Sequence, residues 1–248
     1  MNRTWALYKK EVRSYFVSPL FYVVAAVFLC LCGLFFYSDL NFFTQFGFGQ
    51  DILNNFFQLL FVDMSRVMLV TLPLLTMRLF AEERKLGTLE LLWTYPVRDA
   101  EIILGKFLAC LAVVTVMVGA TVVYPVMVAA FYPVAAGPLL AGYVGLWLLV
   151  AAFIACGLFL SALTDSQLVA GAATYGLLLF SWVITWNEAA VNEVTLHLLM
   201  PFSLFDRFYP FALGAIDTRD VTYLVLFTVA FLTFTFFALD SRRWRGLR

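Results

Sequence analysis

The chain has 248 residues, of which 63% are hydrophobic and 18% aromatic, while only 13% are charged. A soluble domain is about half apolar and about a quarter charged, so this composition is that of an integral membrane protein. The formal net charge is zero, so no global field argues for a nucleic-acid partner.

The chain opens with RTWALYKKEVRSYF. Trp5, Tyr8, Val12, Tyr15 and Phe16 recur at helical spacing and share one face, whereas Arg3, Lys10, Glu11 and Arg13 lie elsewhere. Together with Lys9, this pattern predicts an amphipathic elbow helix over residues 1–18, lying flat on membrane lipid. Two readings stand for it: a basic anchor, or an elbow that also touches a cytoplasmic partner. Pro19 follows Ser18 and turns the chain into the first span.

A bilayer crossing needs about 20 apolar residues. Six runs qualify: 20–37, 59–80, 104–131, 139–163, 168–186 and 221–239. The first is not expected to be a cleaved signal, because a charged amphipathic segment precedes it and no small-residue cleavage site follows. The expected fold is an all-α integral membrane protein, a single transmembrane domain over 1–248.

With six spans, thirteen Lys and Arg residues fall on one side: Arg3, Lys9, Lys10, Arg13, Arg78, Arg84, Lys85, Arg98, Lys106, Arg242, Arg243, Arg245 and Arg248. The other side carries Arg207 and Arg219, and Arg66 sits within a span. The positive-inside rule therefore puts both termini in the cytoplasm of a multi-pass protein of the cell (inner) membrane.

The same rule puts the stretch AEERKLGTLELLWTYPVRDAEIILGKF on the cytoplasmic side, with its loop over 81–103. Glu82, Glu83, Arg84 and Lys85 continue the second span into water as helix, and Gly87 can end it in a left-handed cap. Thr88 can start a short second helix with Glu90 near its positive end. Leu89, Leu92 and Trp93 give that helix an apolar face, and Pro96 stops it. Asp99 is expected to cap the third span, and Lys106 to snorkel from its cytoplasmic end. The result is a lever hung between two spans. The plain alternative is a solvated charged connector.

Within the spans, Asp63 and Arg66 lie three apart on one helix face. They pair with each other near the outer interface or line an outer vestibule. Gly171, Tyr175 and Gly176 are small or polar-tipped and permit close packing, as a dimer contact or along a substrate path. The turn Thr164-Asp165-Ser166-Gln167 is a second, minor contact for a cytoplasmic partner. On the outer side, 38–58 is rich in aromatics, Gly and Asn. Residues 187–220 are broken by Pro201 and Pro210 and read as short interfacial helices before the last span. Their Phe and Tyr residues form an interfacial belt or dock an extracytoplasmic partner.

Several chemistries fail on inventory. Cys30, Cys32, Cys110 and Cys156 all lie in apolar runs and read as inert buried thiols. His197 is the only histidine, so no paired-His zinc site can form in one chain. It reads as an interfacial structural residue. A P-loop needs G-x-x-x-x-G-K-[ST]; the nearest look-alike ends in Gly105-Lys106-Phe107, without the hydroxyl and the first glycine. Asp63 and Asp165 are badly placed for an intramembrane aspartyl protease. Few ionisable groups in the spans and no clear inverted repeat disfavour an ion-coupled carrier.

EERKLGTLELLWTYPV followed by ILGKF resembles the cytoplasmic loop of ABC-2 type transporter permeases, closest to the gliding-motility branch. KKEVRSYFVSPLFYV is similar to that family's amphipathic start, and FALGAIDTRDVTYL to the stretch before its last span. The resemblance implies the ABC-2, type V exporter-like fold with six spans. It implies that Glu82 to Pro96 form a coupling helix receiving force from a separate ABC ATPase, present in two copies, which carries ATP and magnesium. No catalytic, metal or cofactor residue is then expected on this chain. The resemblance further implies a second permease subunit, identical or a close paralogue, and allows an extracytoplasmic auxiliary subunit. The expected function is ATP-driven export or mechanical work. The alternative from another class is a membrane assembly or signalling scaffold that uses the same loop to bind a partner.

Overall fold

A computed structural model of the chain describes residues 3–46, 52–85, 87, 98–184 and 203–245. Among them the regular structure is helical throughout: α1 Arg3–Val17, α2 Pro19–Phe46, α3 Ile52–Thr76, α4 Ala81–Lys85, α5 Asp99–Ala120, α6 Val123–Ala129, α7 Ala136–Leu163, α8 Gln167–Val183, α9 Leu204–Ala212 and α10 Thr218–Arg245. Five stretches are long and apolar enough to cross a membrane: Pro19–Gln45, Asn55–Lys85, Asp99–Ala129, Ala136–Leu163 and Thr218–Ser241. The fifth apolar run of the sequence corresponds to α8, which has 17 residues and spans about 26 Å.

α7 is the centre of the bundle, with α3, α5, α8, α9 and α10 packed around it. Lipid is as apolar as leucine, so close packing rather than escape from water must hold such helices together. α7 achieves it with small residues. A Cβ on Gly142 would lie within 2.1 Å of the Phe61 ring, and one on Gly145 within 2.3 Å of Phe211 Cβ. One on Gly157 would come within 2.2 Å of Thr76 Oγ1. Fully buried Phe28, Phe61, Phe80, Phe153, Phe208 and Phe211 fill the space between helices. The outer helices α2 and α10 leave most of their apolar surface facing outward.

Contacts between the helix ends define two layers. In one, Gln58 Nε2 donates to Tyr209 Oη at 2.6 Å, Leu204 N to Ser181 Oγ at 3.2 Å, and Gly214 sits against Pro138. In the other, the ends of α3, α4 and α7 meet the start of α5. α8 starts beside the second layer and ends beside the first.

Two expectations are corrected. Asp99 does not cap the third span: the N-cap is Arg98, whose N–H donates to Glu101 at 3.0 Å, because a carboxylate one turn in reaches back to the cap. In the described part of 187–220, α9 is packed on the bundle, with Phe208 and Phe211 fully buried against it. It starts with Ser203 Oγ accepting from Asp206 N at 3.2 Å, and ends at Gly214, whose φ of +85° and whose contact with Pro138 both require glycine. Lys106 does not snorkel; its side chain is 3% exposed, for the reason given below. Residues 88–97, with Thr88, Leu89, Glu90, Leu92, Trp93 and Pro96, and also His197, lie outside the described residues.

Candidate functional site

α3 breaks after Thr76, and the chain turns through 77–80 before α4 resumes. A broken helix leaves backbone donors and acceptors without partners. A single hydroxyl from α7 supplies them. Ser161 Oγ donates to Met77 O at 3.1 Å and accepts from Phe80 N at 3.0 Å and Ala81 N at 3.1 Å. Ser161 is fully buried. The close approach of α7 that this needs is permitted by Gly157 beside Thr76. α4 is thereby a hinged extension of the second span, riveted to the centre of the bundle at its root. It ends as the sequence predicts, with Gly87 at φ +67° and its N–H on Arg84 O at 3.0 Å.

The four charges of α4 divide between inside and outside. Glu83 turns inward and meets Lys106 Nζ at 2.9 Å. Arg84 also turns inward, donating to Ala162 O at 2.8 Å and pairing with Asp165 at 3.0 Å. Glu82 is half-exposed, 3.9 Å from Arg78 Nε, and Lys85 is exposed. Two candidates from the sequence, the α4 charges and the turn at 164–167, are thus joined directly.

Lys106 is the hub. A lone ammonium at the third residue of an apolar run must find carboxylates or stay in water. It finds two, Glu83 and also Glu11 at 3.3 Å from α1. It also lies 5.3 Å above the Phe80 ring, a favourable position for a cation. The α1 stripe that faces α5 is consequently shifted from the sequence reading. Leu7, Tyr8 and Thr4 pack on Gly105, whose missing Cβ leaves room for them. Glu11 is buried and Tyr15 half-buried, while Trp5 and Phe16 remain exposed. Tyr15 Oη donates to Leu75 O at 3.4 Å, and burial pushes its pKa well above the usual tyrosine range. Arg78 Nη1 donates to Ser18 Oγ at 3.3 Å, fastening the α1–α2 corner to the same place. A cavity of about 280 Å³ lies among Glu11, Tyr15, Arg78, Glu83 and Lys106.

The remaining candidates lie apart from this junction. Arg66 Nη1 donates to Asp63, which is buried while Arg66 reaches outward. Gly171 seats against Met77 and Pro73 O of α3, whereas Tyr175 and Gly176 face outward, with open space beside Gly176. Glu11 and Ser161 escaped the sequence reading. Glu11 had a signal: a lysine inside a span demands a carboxylate, and Glu11 continues the helical series 4, 7, 8, 11, 15. Ser161 had none, because nothing local marks the distant helix break that it caps.

Lys106 thus links α4 to α1 and α5, and Arg84 links it to the α7–α8 turn. Residues 5–244 match the family model described as ABC-2 family transporter protein. No match is found among curated proteins.

Proposed function

The chain belongs to the ABC-2 family of transporter proteins and is a multi-pass membrane protein, an ABC transporter permease, and on that premise we propose that it is the subunit through which ATP-driven movement enters the membrane. Permeases of this family lack an ATPase domain of their own and work with an ABC ATPase subunit. In the proposed complex two copies of that ATPase, carrying ATP and magnesium, press on the loop 81–103. A second permease subunit, identical or a close paralogue, completes the pathway, and the work done is export or mechanical work across the membrane. The loop's resemblance favours the gliding-motility branch.

The observation that carries this reading is the Lys106 junction. Three helices and a turn from distant parts of the chain are held by ion pairs at the root of one short, hinged helix. A solvated connector needs no such linkage. Six crossings, with α8 as the fifth, are supported by the run of α8 between the two layers of helix ends. That count puts both termini on the side with the basic clusters, hence in the cytoplasm of the inner membrane. Asp63 and Arg66 would then lie toward the outer half, and Tyr175 and Gly176 toward a neighbouring subunit.

The test is purification of the tagged full-length chain from its native membrane, with identification of co-purifying proteins and measurement of ATP turnover. An ABC ATPase in stoichiometric amount, with its binding and its turnover both lost in Leu92→Asp, is the expected result. Absence of any ATPase from the purified complex would overturn the proposal.

A further inference from the structure

A groove of about 630 Å³ runs from α1 along α5 to α7, lined by Trp5, Tyr8, Leu108, Leu111, Thr115 and Trp147. Its polar side chains are few, and two of them are engaged with each other. Trp147 Nε1 donates to Thr115 Oγ1 at 3.1 Å, and Thr115 Oγ1 donates to Leu111 O at 2.7 Å. The hydroxyls of Thr4 and Tyr8 lie at the α1 end of an otherwise apolar lining. Trp5 stacks on Tyr8 with ring centroids 4.9 Å apart, which makes a flat aromatic wall at the α1 end. Both tryptophans and Leu108 are well exposed.

The α1 end of the groove is positive. Lys9 Nζ lies 5.5 Å above the Trp5 ring. Among the described side chains of α1, the exposed charges are Lys9, Lys10 and Arg13. The acid of this helix, Glu11, is buried between Lys106 at 3.3 Å and Lys10 at 3.9 Å, so it offsets Lys10 and leaves Lys9, the cation over Trp5, at the end of the groove. An apolar groove in a membrane-embedded wall with a cation at one end matches a molecule with an apolar tail and an anionic head.

We propose that this groove is a binding site for an anionic phospholipid of the bilayer, with an acyl chain along Trp5, Leu108, Leu111 and Trp147 and the phosphate at Lys9. The volume is in the range of ordinary ligand sites. A lysine near an anionic headgroup favours it, and the aromatic wall suits the boundary between headgroup and chain. The site holds the α1–α5 contact from outside, opposite the Lys106 ion pairs that hold it from within. The inference needs only that the chain is in a membrane, and it stands or falls separately from the ATPase reading.

The test uses the full-length chain in phosphatidylcholine vesicles containing a small fraction of lipid with brominated acyl chains, which quench tryptophan on contact. Brominated phosphatidylglycerol is expected to quench with an apparent affinity roughly fivefold above brominated phosphatidylcholine. Lys9→Gln should bring the two lipids level while quenching by phosphatidylcholine stays as it was. Trp5→Phe with Trp147→Phe should remove the headgroup-dependent part of the signal. Equal quenching by both lipids in the wild type overturns the proposal. So does a preference that survives the Lys9 substitution, or one that survives loss of the two tryptophans.

Discussion

Lys106 and Glu11 are 95 positions apart in the chain, and Nζ of one lies 3.3 Å from Oε1 of the other. Glu83 closes the group from α4. Burying charges costs several kcal/mol per ion, and only good pairing offsets it. Such a cluster is therefore weak evidence for stability and better evidence for registration: it holds α1, α4 and α5 in one arrangement.

Removal of the hub should be severe. Lys106→Met leaves Glu11 and Glu83 without their shared buried cation, with only the more distant Lys10 beside Glu11, and should destabilise the protein by about 3–5 kcal/mol. Adding Glu11→Gln and Glu83→Gln to it should recover much of that loss, because the buried charge then disappears. Thermal unfolding of the wild type, Lys106→Met, the Glu11→Gln with Glu83→Gln variant and the triple variant in one detergent measures the coupling. Additive losses would show that the three residues do not act as a unit.

Ser161 makes a sharper claim about one hydroxyl. Ser161→Ala strands Met77 O, Phe80 N and Ala81 N at the break between α3 and α4. Buried polar groups without partners cost about 1–3 kcal/mol each way they are left, so a drop in that range is expected. Amide hydrogen exchange should rise at Phe80 and Ala81 more than in the middle of α7. Unchanged protection there would mean that the break is held by something else.

The glycines of the bundle should separate into two classes. Gly145→Ala drives a methyl into Phe211, and overpacking of this kind costs about 1–3 kcal/mol. Gly176→Ala meets open space and should leave the folding of the single chain unchanged. A larger residue there, Gly176→Leu, should instead weaken association with the second permease subunit, read by cross-linking in the membrane. Intact association would remove Gly176 from the proposed interface.

What was legible in the sequence follows from the range of each force. Hydropathy is local, so five of the six apolar runs return as helices long enough to cross, and α1 begins and ends where its periodicity and Pro19 put it. The left-handed Gly87 is legible for the same reason. Pairing is not local. The face that α1 buries depends on Lys106, and the inward turn of Glu83 and Arg84 depends on α5 and the end of α7. An isolated wheel of residues 3–16 puts Glu11 with the solvated charges because it contains no partner for it. The packing of α9 was illegible for a related reason: its nine residues are too short to span, and the seat of Phe211 is made by Gly145 of the distant α7.

The remaining prediction concerns how the loop grips its partner. Of the α4 charges, Glu83 and Arg84 are committed inside the chain, which leaves Glu82 and Lys85 toward solvent. Exposed ion pairs are worth about 0–1 kcal/mol, so Glu82→Gln and Lys85→Gln should each change ATP turnover of the assembled complex only modestly. An apolar anchor seated in a partner's groove is different, and its loss costs about 2 kcal/mol or more. Leu89, Leu92 and Trp93 are the apolar residues in the following stretch. Leu92→Asp should therefore abolish both pull-down of the ATPase and coupled hydrolysis, while the chain still inserts and keeps its thermal transition. Arg84→Ala should differ from both. It severs the link to Asp165 and Ala162 without touching the partner, so the ATPase should bind as before yet hydrolyse ATP without transmitting it. Normal binding and turnover in Leu92→Asp would remove the coupling role from this loop. Loss of binding in Arg84→Ala would place the partner's contact on α4 itself rather than beyond it.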